Sequence, residues 1–330
     1  MAGEPARAAP NPRREVLRRL LSRGSARAAA LVLALLVLAC LLAPALSPWR
    51  YDQTDLAAGA LPPSRAHWFG TDDLGRDLLV RAFLGGRISF AVATVVAILS
   101  LAIGVPYGAI AGYWSGRIDA AMMRVMQVVQ ALPFLVTVIL IEVFFARKGG
   151  ILHRAFSAII APFVADGADA GDYPLFRVVL MFVALGAFWW PGMARVVRGQ
   201  VMELRGRLFV EAARAAGAGH AAILLRHVLP NAMGPILAQA TLIIPEAMMA
   251  EATLSFLGLG TEEPLSSFGL LIARGADAMD LRPWLLVFPA LLLVLAVHCI
   301  NVLGDALRDA LDPGTGSAPA PRPASGREER

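Results

Sequence analysis

At 330 residues, 57% of them hydrophobic and 17% charged, with a mean hydropathy of +0.62, the chain is too apolar for an ordinary soluble domain and is expected to be a polytopic membrane protein. Its formal charge of +5 is carried almost wholly by arginine, since Lys148 is the only lysine, and these arginines fall in loops rather than in one basic stripe, which argues against nucleic acid as a partner. Cys40 and Cys299 lie inside apolar runs, so no disulfide framework and no metal site is expected, and each reads as a small hydrophobe.

Residues 1–27 are arginine-rich, with Arg7, Arg13, Arg14, Arg18, Arg19, Arg23 and Arg27 preceding an uncharged run over 28–46. This pattern predicts a cytoplasmic tail and a first membrane helix. Ala43-Pro44-Ala45 imitates a secretory cleavage site, but the run exceeds the roughly 7 to 15 residues of a signal core and is expected to be retained. Residues 47–87 then form a polar, extracytoplasmic segment. Within it, Thr71 or Asp72 is expected to cap a short surface helix that Gly85-Gly86 stops. Its acids have no His or Cys at ligand spacing and read as a solvated helix end rather than a metal site.

Runs over 88–116 and 122–145 supply the second and third spans, Pro106 and Pro133 being tolerated in packed membrane helices. Met122, Met123 and Met126 read as packing residues. From 147 to 173, Ile151, Leu152, Ala155, Phe156, Ile159, Ile160 and Phe163 recur at helical spacing in a stretch too short to span. An amphipathic helix is expected there, on the outer membrane surface or against a partner subunit, followed by a loop. Val178 to Ala194 is the fourth expected span, with Trp189-Trp190 as interfacial anchors near its cytoplasmic end. The fifth covers 233–257 and the sixth 284–303. Between them an extracytoplasmic hairpin carries a turn at Gly258-Leu259-Gly260 and a short helix near Phe268 to Ala278. The tail over 307–330 is expected to be cytoplasmic, and from Gly314 its Pro/Ala/Ser/Gly composition predicts disorder.

Four spans after an inside N-terminus return the chain to the cytoplasm before residues 203–230. Arg195, Arg198, Arg205, Arg207, Arg214 and Arg226 crowd that region, in keeping with the positive-inside rule. By the same count Arg50, Arg65, Arg76, Arg81 and Arg87 fall outside, an exception to it. The loop places Leu208, Phe209, Ala212, Ala213 and Ala216 on one side of an amphipathic helix. Gly217 is expected to close that helix through a left-handed backbone, and a second short helix from Ala221 to His227 should end before Pro230.

Glu142, Glu246 and Glu251 interrupt apolar spans. Glu246 and Glu251 are read as acids of the translocation path or of helix packing, with Glu251 bonded to Thr253, Ser255 or a facing helix. The chain has no GxxxxGK[ST] phosphate loop and no HExxH or GxSxG pattern, and its five histidines are scattered. On residues alone, an ion-coupled secondary transporter and an intramembrane hydrolase stay open as alternatives.

Glu211-Ala212-Ala213, then Gly217, then Leu229-Pro230 twelve residues on, resembles the EAA loop of permease subunits in binding-protein-dependent ABC importers. His227 stands where the generic pattern has Ile, and HVLPN is similar to the peptide-importer branch. Thr71-Asp72, Gly75-Arg76-Asp77 and Arg81 resemble the stretch before the second span of dipeptide and oligopeptide permeases. SFLGLGTEEPLSSFG, PWLLVFPA and the closing segment from Gly304 to Pro313 resemble the oligopeptide branch, whose phrase also contains a glutamate at the place of Glu251. The likeness covers roughly Phe69 to Pro313. The 147–173 stretch departs from it as an insertion.

The resemblance implies an all-α membrane protein with six transmembrane helices, of the type I ABC importer permease fold with cytoplasmic EAA coupling helices, its core over 88–306. It implies an ATPase-coupling role for Glu211, Ala212, Ala213, Gly217, His227, Leu229 and Pro230. The implied partners are a homologous permease subunit, two ABC ATPase subunits, an extracytoplasmic peptide-binding protein and the lipid bilayer. No cofactor is expected. ATP hydrolysis is expected on the ATPase subunits and not on this chain.

Overall fold

The computed structural model describes residues 22–145 and 174–311, together with positions 18, 20, 154 and 158. The arginine tail up to residue 17, the amphipathic helix expected over 151–163 (save positions 154 and 158) and the tail from Gly314 lie outside the described residues. The regular structure of the described residues is helical, apart from one isolated bridge between Thr71 and Asp77 within the irregular segment over 47–77. Its elements are α1 (Gly24–Leu46), α2 (Leu78–Trp114), α3 (Gly116–Ala131), α4 (Phe134–Phe145), α5 (Pro174–Leu204), α6 (Leu208–Ala215), α7 (His220–Phe256), α8 (Phe268–Asp277) and α9 (Trp284–Leu311). Five of them, α1, α2, α5, α7 and α9, are long and apolar enough to cross a membrane.

A sixth span exists only as the pair α3 and α4, bent by 84°. The straight third span expected over 122–145 is therefore corrected to a broken one. Pro133 has no N–H to continue the ladder and forces Leu132 out of the helical region, to φ −74° and ψ 130°.

The largest interface joins α2 to α5, and glycine makes it. Gly104, Gly108 and Gly112 stand four residues apart on one face of α2. A Cβ at Gly104 would lie 2.7 Å from the Met193 side chain, one at Gly108 would press on the Ala194 carbonyl oxygen, and one at Gly112 would lie 2.7 Å from the Arg198 carbonyl oxygen. With no hydrophobic drive between helices inside lipid, such close backbone approach is the main source of attraction. Val92, Val96, Leu185, Val197, Val201, Ile236, Ile243 and Met248 fill the common core of α2, α5 and α7. The first helix is peripheral: 17% of its apolar window is buried, against 50% for α5.

The expected short surface helix before the second span is also corrected. α2 runs unbroken from Leu78 through Gly85-Gly86, and its N-cap is Asp77, which accepts from Val80 N–H at 2.9 Å. The two glycines cost about 1 kcal/mol each in helix propensity, which close packing offsets. A Cβ at Gly85 would lie 3.0 Å from the Ser267 backbone, and one at Gly86 would lie 2.5 Å from Cys40 Sγ. Thr71 instead ties the preceding loop, its hydroxyl donating to the Gly59 carbonyl and accepting from Leu61 N–H, both at 2.7 Å.

Arg50, Arg76, Arg81 and Arg87 of this region are engaged locally. Pro44 in α1 leaves the Cys40 carbonyl without its helical donor, and Arg87 Nε supplies one at 2.6 Å. Arg76 grips Glu263 with both terminal nitrogens (2.9 and 3.1 Å) and reaches Asp72 with Nε at 2.8 Å. Arg81 and Arg274 close on the same Glu263 carboxylate.

The Arg76 hydrogen bond, then the charges of Arg81, Arg76 and Arg274, hold the Glu263 carboxyl at about 2 against the opposing effect of burial. A folded pKa below the unfolded value contributes stability that is present above about pH 4.5 and is lost as the pH falls toward 2. E263Q is accordingly expected to melt below wild type in detergent at neutral pH, and the gap should close as the pH drops through that window. A gap that stays constant with pH would show that this carboxylate's charge does not tie α2 to the loop before α8.

The fourth expected span also lengthens, because α5 continues ten residues past Ala194 to Leu204. Trp189 and Trp190 are half-buried along this helix. Trp189 meets Phe134 edge-on at 5.4 Å between centroids, and Trp190 meets Tyr107 at 4.7 Å.

The candidate coupling surface and the intramembrane acids

Between α5 and α7 the chain makes one exposed helix, α6, and its end is built as the residues dictate. Gly217 has φ +83°. Ala218 N–H bonds to the Ala213 carbonyl and Gly217 N–H to the Arg214 carbonyl, both at 3.0 Å. This 6→1 and 5→2 pair is a Schellman closure, with Ala213 and Ala218 packed on the core beneath it. Gly258 ends α7 in the same way at φ +79°, which fulfils the turn expected at Gly258-Leu259-Gly260.

Beyond Gly217 the structure corrects the sequence expectation. The second helix does not end before Pro230; it begins at His220 and runs into the fifth span, to Phe256. Ile223–Val228 is a π-helical turn in which Leu229 N–H bonds to the Leu224 carbonyl, five residues back. The wider turn accommodates Pro230, which lacks an N–H and would clash in a regular α-turn. Asn231 Nδ2 donates to the His227 carbonyl at 2.5 Å and serves an oxygen that the detour leaves free.

The unit is pinned to the bundle from below. Val210, Ile223, Leu224 and Val228 are buried in the core. Tyr113 Oη meets His220 Nδ1 at 2.9 Å, and Arg205 donates to the Tyr113 carbonyl at 3.2 Å and to Ser115 Oγ. Arg198 forks onto Asp119 at 2.5 and 2.6 Å. Of the apolar stripe named from the sequence, only Ala213 packs on the core. Leu208 is 82% exposed, Phe209 39% and Leu225 63%, while Ala212 and Ala216 are exposed beside them. Of the seven residues expected to couple, Glu211, Ala212, Gly217 and Pro230 are exposed, and Ala213, His227 and Leu229 are half-buried.

The two acids separate cleanly. Glu251 is fully buried; Ser255 Oγ donates to its Oε1 at 2.7 Å and Ser89 Oγ, from α2, to its Oε2 at 2.8 Å. Phe268 N–H donates to Ser89 Oγ, and Leu270 N–H donates to Ser267 Oγ, which donates to Ser255 Oγ. Two orphan N–H groups at the start of α8 are thus relayed through serine hydroxyls to one carboxylate. Thr253 takes no part; its hydroxyl donates to the Met249 carbonyl. Glu246, five residues earlier on α7, is exposed and accepts from Trp189 Nε1 at 3.0 Å. The serine relay was beyond sequence reasoning, since Ser89 lies 162 residues from Glu251; only Ser255, one turn on, was within local reach.

The architecture is thus a set of membrane-length helices closed by glycine contacts, with one exposed helix slung between two of them. The family model described as binding-protein-dependent transport system inner membrane component matches residues 104–317, and that described as N-terminal TM domain of oligopeptide transport permease C matches residues 11–63. The chain is 40% identical over 298 residues to the oligopeptide transport system permease protein OppC of Escherichia coli K12, covering 90% of this chain and 89% of that one. It is 41% identical over 274 residues to OppC of Haemophilus influenzae, covering 82% and 79%, and 40% identical over 274 residues to the dipeptide transport system permease protein DppC of Bacillus subtilis, covering 83% and 77%.

The chain belongs to the family of inner-membrane components of binding-protein-dependent transport systems, and within it to the OppC-type permeases. It is a multi-pass membrane subunit of an ABC importer. Membership displaces both the ion-coupled transporter and the intramembrane hydrolase as readings of its acids.

Proposed function

We propose that this subunit forms half of the translocation path of an ATP-driven importer of oligopeptides or dipeptides, and that residues 203–230 couple the path to ATP hydrolysis on two ABC ATPase subunits. The other half is a homologous permease, and an extracytoplasmic peptide-binding protein delivers the cargo to the side that carries residues 47–87, the 147–173 insertion and α8. Both termini and α6 face the cytoplasm. The observation that carries this reading is the uncovered apolar surface of α6 and of the turn after it: Leu208 and Phe209 on α6 and Leu225 on the π-turn are exposed, while Val210 and the Gly217 closure anchor the unit to the bundle. A large apolar patch held this firmly marks a protein contact. The OppC and DppC names of the relatives support the peptide cargo.

The test is reconstitution. The purified chain alone is expected to hydrolyse no ATP, whereas vesicles holding both permeases and both ATPases, supplied with the binding protein, should import labelled tripeptide only when ATP is enclosed with the ATPases. Uptake that needs an ion gradient and no ATP would refute the proposal.

A further inference from the structure

Glu246 sits on α7 ten residues before the Phe256 end of that helix, roughly 15 Å into the span. It follows Pro245 and faces outward, with Met249 and Thr253 exposed on the same side one and two turns on. A carboxylate at such depth costs about 2.5 to 3.5 kcal/mol against lipid, so this face looks onto water or protein. Oε2 is held by the Trp189 indole, which is itself fixed edge-on between Phe134 (5.4 Å) and Phe188 (5.8 Å). No hydrogen bond engages Oε1 and no cation is paired with the carboxylate among the described residues. The arrangement is a fixed acceptor beside an aromatic wall. That combination suits a primary ammonium group, which takes a charge-assisted hydrogen bond from the carboxylate and is favoured beside aromatic rings.

We infer that Glu246, oriented by Trp189, receives the primary ammonium group of the peptide cargo inside the translocation path. This rests on the peptide-importer reading above. Unmodified peptides that do not begin with proline carry such a group whatever their side chains, so one carboxylate serves cargo of varied sequence.

The experiment uses the whole complex of both permeases and both ATPases in nanodiscs, without nucleotide or binding protein, and measures binding of labelled trialanine and of N-acetyl-trialanine. Wild type is expected to prefer trialanine by about tenfold. E246Q should bind both peptides at the weaker level, and E246D should restore the preference. Tripeptide uptake by the E246Q complex should fall in parallel, with subunit stoichiometry unchanged. Equal preference in wild type and E246Q, or no preference in wild type, overturns the inference while leaving the importer reading intact if uptake persists. Loss of the partner permease from the E246Q complex also overturns it, by assigning Glu246 to the contact between permeases. A wild-type complex that neither binds nor imports any peptide overturns both.

Discussion

Gly217→Val is expected to leave the permease in the membrane at the wild-type level and to abolish peptide uptake. Nothing lies within 4 Å of a Cβ at this position, so the substitution acts through the backbone alone. A β-branched residue at φ +83° carries strain on the order of 1 to 3 kcal/mol. That is small beside the burial of the bundle but sufficient to undo a two-bond closure and swing α6 off its seat. Glu211→Lys should give the same loss by another route, reversing an exposed charge on the docking surface without disturbing the fold. Both variants are checked by co-purification of the ATPases together with uptake in reconstituted vesicles. Gly219→Ala is the control: its φ is −70° with open space around it, and it should import normally. Full uptake by both test variants, with the ATPases retained, would remove residues 203–230 from the coupling role.

Gly108→Val should fail earlier, yielding little monodisperse protein after detergent extraction. Overpacking a core typically costs about 1 to 3 kcal/mol because side chains shift to make room. Here the obstructing atom is the Ala194 carbonyl oxygen on α5, which is fixed in the helix backbone and has no rotamer to escape into. The helices must separate along the whole Gly104, Gly108, Gly112 seam. Gly192→Ala, on the facing helix but with nothing within 4 Å, is expected to extract like wild type. Wild-type yield and melting behaviour for the Gly108 variant would show that the seam is looser than its geometry.

What was legible in the sequence follows from how far each interaction reaches along the chain. Gly217 declared its left-handed turn because helix closure is settled within six residues, and the helix after Ser267 was legible for the same reason. Gly85-Gly86 and Pro230 were misleading. Their intrinsic tendency is to stop a helix, yet two glycines are needed where Ser267 and Cys40 approach, and a π-turn absorbs the proline. Pro133, read as tolerable, broke its helix because no comparable detour surrounds it. The four-residue glycine spacing on α2 was visible in the sequence, but its partner on α5 is some 85 residues away and leaves no local sign. Hydropathy likewise found the apolar stripe on α6, most of which the structure leaves exposed. In a subunit whose partners are separate chains, that stripe is left for one of them.

The π-turn at Ile223–Val228 also sets phase. One residue accommodated in a widened turn rotates everything beyond it by about 100° relative to an uninterrupted α-helix. Were that turn to tighten to α-geometry with α6 held in place, the upper part of α7 would revolve by that angle. Glu251 would keep Ser255, which turns with it, but leave Ser89 on α2, and Glu246 would sweep away from its present face. The π-turn and the Glu246 proposed to meet cargo lie on one continuous rod, and the geometry of that turn near its base sets which way the far end points.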